Sequence, residues 1–202
     1  MQRYEFFSIF VHLTNVNMKE KTLTKNLWES AMHAGLALGL TAAAYLYLTT
    51  ALSQTGISQV AVLALTVLLW IVKFIGCILL MKVFMKKFSS ANPDATNKDT
   101  FKMGVATALL SAFIYSSFVF LDMSLIHADI YKVQYEMILQ EYSSHMDMNS
   151  IAMMKKFIEK LPQFAFVGNL LYCFAYGSAL AGILSQNIPS KDPFADYKPD
   201  EQ

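Results

Sequence analysis

Residues 60–81 read VAVLALTVLLWIVKFIGCILLM, 22 residues with one charge, Lys73. A helix rises about 1.5 Å per residue, so about 20 apolar residues cross the ~30 Å hydrocarbon core of a bilayer. A buried helix of a water-soluble protein is shorter and keeps a charged stripe toward solvent. The stretch therefore predicts a membrane span. Residues 31–52, 103–121 and 164–184 have the same character and contain no Asp, Glu, Lys or Arg. Across all 202 residues, 55% are hydrophobic and 15% charged, against about 25% charged in an ordinary soluble domain. The expected fold class is all-α: an integral membrane four-helix bundle.

The segments between these runs are short. The longest, 122–163, has 42 residues, below the ~50 that an independent domain needs. The expected organisation is an N-terminal segment (1–26), one membrane domain (27–188) and a tail (189–202), with no separate catalytic domain. A net charge of +1 gives no reason to expect a nucleic-acid partner. Cys77 and Cys173 both lie in apolar runs, which excludes a secreted disulfide scaffold.

Basic residues orient the spans. Eleven of the 16 fall in the N-terminal segment, the second connection and the tail, four in the third connection and none in residues 53–59. Positive charge stays in the cytoplasm, so both termini are expected there, with 122–163 on the outer, periplasmic side of a bacterial inner membrane. Met18-Lys-Glu-Lys ahead of the apolar run and Ala42-Ala-Ala44 also resemble a signal peptide. The run continues through Tyr45-Leu-Tyr-Leu, too far for a signal peptide, so an uncleaved anchor is expected. Met18 is a second candidate start. The preceding 17 residues are too short to span and read as an interfacial or start-site segment.

Residues 53–59, with Gly56, predict a tight hairpin between spans one and two. Asn92-Pro-Asp94 and Asn97 predict turns in the second connection. In 122–163, Ile130, Val133, Met137, Ile138 and Tyr142, then Met154, Phe157, Ile158 and Leu161, recur at helical spacing between charged residues. That pattern predicts an amphipathic helical hairpin, its second helix capped by Asn149 or Ser150 and ended or kinked at Pro162. Its apolar face is expected to rest on lipid or on itself.

Small residues four apart mark packing faces: Ala31, Gly35, Gly39 and Ala43 in span one; Gly104, Ala108, Ala112 and Ser116 in span three; Gly177 and Ala181 in span four. They let backbones approach where lipid removes the hydrophobic drive to associate. They would close the bundle or join a homodimer, and the pattern alone does not choose.

Lys73 is the sharpest candidate for chemistry. It sits about 4 Å from mid-span toward the basic side, and an intramembrane cation is a functional hypothesis by default. Thr41, Thr107, Ser111 and Tyr176 fall at similar depth, so a polar interior for an anion or lipid head group is one reading. The plainer one is that Lys73 snorkels toward the basic side. Thr107, Ser111, Tyr115 and Asp122 share one stripe of span three. Asp122, about 15 Å from Lys73 along the bilayer normal, is read as an outer-interface residue beside His127 and Asp129. His127, His145, Met146, Asp147, Met148, Met153 and Met154 resemble soft copper ligands, but methionine is also a general packing residue. No catalytic motif, metal-ligand spacing or cofactor signature is legible.

Trp28-Glu-Ser-Ala-Met-His-Ala-Gly35-Leu-Ala-Leu-Gly39, the basic end of span two, Phe101-Lys-Met-Gly104, Ile126-His-Ala-Asp129 and Asp192-Pro-Phe194 occur in a recognisable order. In this the chain resembles the Bacteroidota membrane family catalogued as domain of unknown function 4199, from about residue 24 to 194. Asp129 is followed by Ile130 where members of that family commonly have Pro. The resemblance implies four spans, a bacterial inner membrane and a glycosyltransferase partner, and supplies no catalytic residues. The reading with the fewest assumptions is a non-enzymatic accessory or scaffold subunit. The alternatives are a small transport or lipid-handling protein using Lys73, and a periplasmic metal or envelope-stress sensor.

Overall fold

The computed structural model describes residues 2–143 and 147–188, with side chains for 21–141 and 147–188. The described residues are helical, with no strand: α1 (Gln2–Ser53), α2 (Gln59–Ala91), α3 (Asn97–Leu121), a π-helical turn (Asp122–Ile126), α4 (Ala128–Ser143), α5 (Met148–Glu159) and α6 (Leu161–Gln186). Four stretches are long and apolar enough to cross a membrane: Lys21–Ser53, Gln59–Ala91, Asn97–Ile126 and Leu161–Gln186. The chain is thus a helical protein with the character of a multi-pass membrane protein.

Each helix end follows from local chemistry. Gly56 takes φ +65 between α1 and α2, a conformation that a Cβ penalises. Asn92 ends α2 by returning its side-chain amide to the Phe88 carbonyl at 2.9 Å, and accepts from the Asn26 amide of α1 at 3.0 Å. Thr96 and Asp99 form a reciprocal capping box that starts α3. The amphipathic connection does fold as two helices, α4 and α5. Its second N-cap is Asp147, which accepts from the Ser150 amide at 3.3 Å, rather than Asn149 or Ser150. A carboxylate there satisfies an orphan amide and complements the helix dipole. Pro162 lies in the first turn of α6, where its missing N–H costs nothing. The first helix runs unbroken from Gln2 to Ser53.

α3 is the central helix, packed against α6 and α1, and α2 leans mainly on α1. The small-residue ridges lie in these seams. A Cβ on Gly35 would stand 2.6 Å from that of Leu110, and one on Gly39 2.8 Å from that of Ile114. Gly104 faces Ala181 at 2.7 Å, and Gly177 faces Ala108 at 2.7 Å. Ala112 is buried on the same helix. These contacts lie within one chain, so the ridges close the bundle.

The tightest core lies at the end where α2 finishes and α3 begins. Leu27, Ala31, Ala34 and Leu38 of α1 meet Met81, Met85 and Phe88 of α2, Met103 of α3, and Ala181 and Leu184 of α6. Beside this core a cavity opens between α1, α2, α3 and α6.

Candidate intramembrane site

Lys73, Cys77 and Met81 follow one another at i, i+4 and i+8 on α2, so they share a face. That face meets Ser111 and Tyr115 of α3, and Cys173, Tyr176 and Gly177 of α6, around a cavity of about 170 Å³. Leu38 and Ala42 of α1 complete the wall. The short Gly177–Ala108 approach at its edge holds α6 against α3.

Lys73 is held by aromatic rings. Its Nζ lies 4.5 Å from the centroid of Tyr45 and 4.8 Å from that of Tyr115. Each such contact contributes about 0.5–2 kcal/mol, more where water is excluded. No carboxylate among the described residues forms an ion pair with it.

The direction of the side chain is informative. Lys73 is about 21 Å along α2 from its start, whereas Tyr45 is about 12 Å back from the end of α1. Because the hairpin joins those two ends, the ammonium points toward the hairpin. Helical side chains tilt toward their own N-terminus, and α2 begins at the hairpin. The stem therefore runs away from the basic end, contrary to the snorkelling expectation.

A ladder of rings closes the seam between α2 and α6. Trp70 stacks on Phe74 at 5.5 Å, Phe74 meets Tyr176 at 5.8 Å, and Tyr176 stacks on Tyr172 at 6.5 Å. Trp70 is 53% and Tyr172 71% exposed, so the mouth of the cavity opens sideways, at the level of the spans.

Of the polar residues expected around Lys73, Ser111 and Tyr176 line the cavity. Thr41 and Thr107 do not. Thr41 donates to the Ala37 carbonyl at 2.8 Å, and Thr107, buried, to the Met103 carbonyl at 2.9 Å. Depth measured from the Lys73 Cα selects these threonines. The rings that the ammonium reaches lie nearer the hairpin end, Tyr45 one turn past Thr41 and Tyr115 two turns past Thr107. Tyr45 was missed for that reason, although the N-terminal tilt of helical side chains is a signal that finds it.

A second polar cluster lies at the corner between α3 and α4. Asp122 is fully buried. Its Oδ1 is 2.7 Å from Nδ1 of His127, and its Oδ2 accepts from the Tyr131 hydroxyl at 3.0 Å. The π-helical turn at Asp122–Ile126 adds a residue to the helical repeat, a distortion frequent at functional sites. Burial, the Asp122 hydrogen bond and the neighbouring charges of Asp122, Tyr135 and Tyr115 push the Tyr131 hydroxyl up to about 12. Asp129 is exposed.

Among the described residues, no group of three or more His, Cys, Asp or Glu side chains is placed to hold a metal ion. His127 is turned into Asp122, while Met148 and Met153 are exposed. His145 and Met146 lie outside the described residues, as does the 189–202 tail. Comparison with protein-family models, curated proteins and solved structures finds no match.

Proposed function

We propose that this is a non-enzymatic, four-span protein that binds a single-chain amphipathic anion in the Lys73 cavity, a lipid-handling role. The observation that carries the reading is the Lys73 ammonium, fixed between two tyrosine rings at a cavity and without a carboxylate partner among the described residues. One cation suits one negative charge. A volume of about 170 Å³ is close to the ~150 Å³ that holds a benzene, so it admits a carboxylate and a few methylenes but not a double-chain phospholipid. The sideways mouth leaves the rest of the chain in lipid. The basic-residue distribution supports cytoplasmic termini and an outer α4–α5 hairpin in a bacterial inner membrane, consistent with the resemblance to domain of unknown function 4199.

Trp70, at the mouth, provides the test. With Trp28→Phe it is the sole tryptophan, because the chain has two. In nanodiscs, dibromostearate at low mole fraction should quench Trp70 saturably, and its methyl ester should not. Lys73→Met should weaken binding about tenfold or more, equivalent to about 1.4 kcal/mol. Quenching that does not saturate, or is equal for acid, ester and variant, would overturn the reading.

The outer face of α2 supports a second reading, an accessory subunit for an envelope or glycolipid enzyme such as a glycosyltransferase. None of the residues in the most apolar window of α2 is buried. Recovery of a stoichiometric membrane enzyme with the tagged chain in native nanodiscs, lost on Leu68→Ala/Val72→Ala, would support it. Recovery of the chain alone would remove it.

A further inference from the structure

A second cavity, of about 460 Å³, lies between α4 and α5. It reaches Met123 and Pro162, which stand at the ends of the apolar stretches Asn97–Ile126 and Leu161–Gln186. In a bilayer that is the depth where hydrocarbon gives way to head groups. Tyr131 and Tyr135, one turn apart on α4, line the cavity with rings stacked at 6.3 Å. The Tyr131 hydroxyl donates to the buried Asp122 at 3.0 Å, and Asp122 is 2.7 Å from His127, so the corner fixes the Tyr131 ring. Each helix also brings a lysine and a glutamate four residues apart, Lys132 and Glu136 from α4, Lys155 and Glu159 from α5. Lys132 is about 6 Å and Glu136 about 12 Å from the start of α4, and Glu159 about 3 Å and Lys155 about 9 Å back from the start of α6. Each level of the groove therefore has one charge of each sign. Among the described residues, no ion pair joins any two of the four. Such pairs would draw the hairpin shut. Instead two cations and two carboxylates stand apart around a ligand-sized space.

We propose that the α4–α5 groove binds the zwitterionic head group of a phospholipid carrying a phosphodiester and a primary ammonium, as in phosphatidylethanolamine. The site is separate from the Lys73 cavity and does not depend on the anion reading. Lys132 and Lys155 take the phosphodiester, and Glu136 and Glu159 take the ammonium, through charge-assisted hydrogen bonds. The glycerol lies against the tyrosine rings, and the acyl chains pass Met123 and Pro162 into the hydrocarbon. A head group of net negative charge fits less well, because it leaves the two carboxylates without a cation. A quaternary ammonium is held by rings that converge on it as a cage. Here the two rings stack on each other, so the carboxylates do the holding, and they need the N–H donors that only the primary ammonium has.

The test titrates the full chain, in maltoside micelles, with dihexanoyl phosphatidylethanolamine and follows amide exchange in α4 and α5, which reports their local opening. Exchange should slow saturably. The phosphatidylcholine and phosphatidylglycerol of the same chain length should need about tenfold more lipid or worse, the loss expected when a charged hydrogen bond goes unmade. Lys155→Gln/Glu159→Gln should raise the phosphatidylethanolamine midpoint by a similar factor, and Lys132→Gln/Glu136→Gln, on the opposite wall, should do the same. All four side chains are exposed, and exchange without lipid serves as the control for folding. Absence of saturable slowing, equal midpoints for the three lipids, or midpoints unchanged in both double variants would overturn the site. Equal protection by glycerophosphoethanolamine, the same head group without acyl chains, would overturn the lipid as its source.

Discussion

At the scale of single residues, the glycine contacts give the sharpest expectations. Gly104 and Gly177 stand where a Cβ meets another Cβ at 2.7 Å, whereas nothing lies within 4 Å of one on Gly76 or Gly168. Gly104→Leu or Gly177→Leu must force α6 from α3 and should cost about 1–3 kcal/mol, as overpacking does. Gly76→Leu and Gly168→Leu should stay within about 0.5 kcal/mol of the parent. Reversible unfolding in mixed micelles distinguishes the pairs. Asp147 makes a second case. Its hydrogen bonds from Ser150 hold its carboxyl below the ordinary carboxylate range. The cap is therefore fully present above the ordinary value and lost as pH falls through the depressed one. Amides at the start of α5 should exchange faster in that acid window, and Asp147→Asn should remove the pH dependence.

At the scale of elements, the α3–α4 corner has an alkaline counterpart. The folded chain holds the Tyr131 proton more tightly than an unfolded one, with its value raised from 10 to about 12. Stability from this proton is complete below pH ~10, the ordinary tyrosine value, and is lost as pH rises through the folded value. The corner should loosen over that interval, measured by amide exchange in α4, and Tyr131→Phe should remove the transition. The helices themselves were legible in sequence because each signal is local: unbroken apolar runs for α2, α3 and α6, a 3.6-residue period for α4 and α5, and small residues four apart at the α1–α3 and α3–α6 seams. The corner was less legible. The π-turn depends on burying Asp122 against His127 and on Tyr131 returning from the next helix, which no period in α3 announces. Likewise Lys73 was plain as a charge in a span, but its partners depend on where the tip goes rather than where the Cα lies.

At the scale of the whole molecule, the arrangement makes sidedness decisive. Lys73 leans toward the α1–α2 hairpin end, and α3 runs past it toward the Asp122 corner, so the Lys73 tip and the corner lie toward the same end of the bundle. The tight core occupies the other end, beside Lys82, Lys86 and Lys87. Basic residues near span ends stay in the cytoplasm, because translocating them is costly, and 11 of the 16 fall in the N-terminal segment, the second connection and the tail of the sequence, against four in the third connection. On the orientation proposed above, the hairpin, the corner and α4–α5 lie outside. Single cysteines in a Cys77→Ala/Cys173→Ala background test the assignment at exposed positions. In intact cells an impermeant maleimide should label Thr55→Cys and Met153→Cys, but reach Ser90→Cys only after permeabilisation. Labelling of Ser90→Cys in intact cells would reverse the orientation. Neutralising Lys82, Lys86 and Lys87 to Gln should then shift part of the population to the inverted form, because the charge bias, rather than the bundle packing, selects the side.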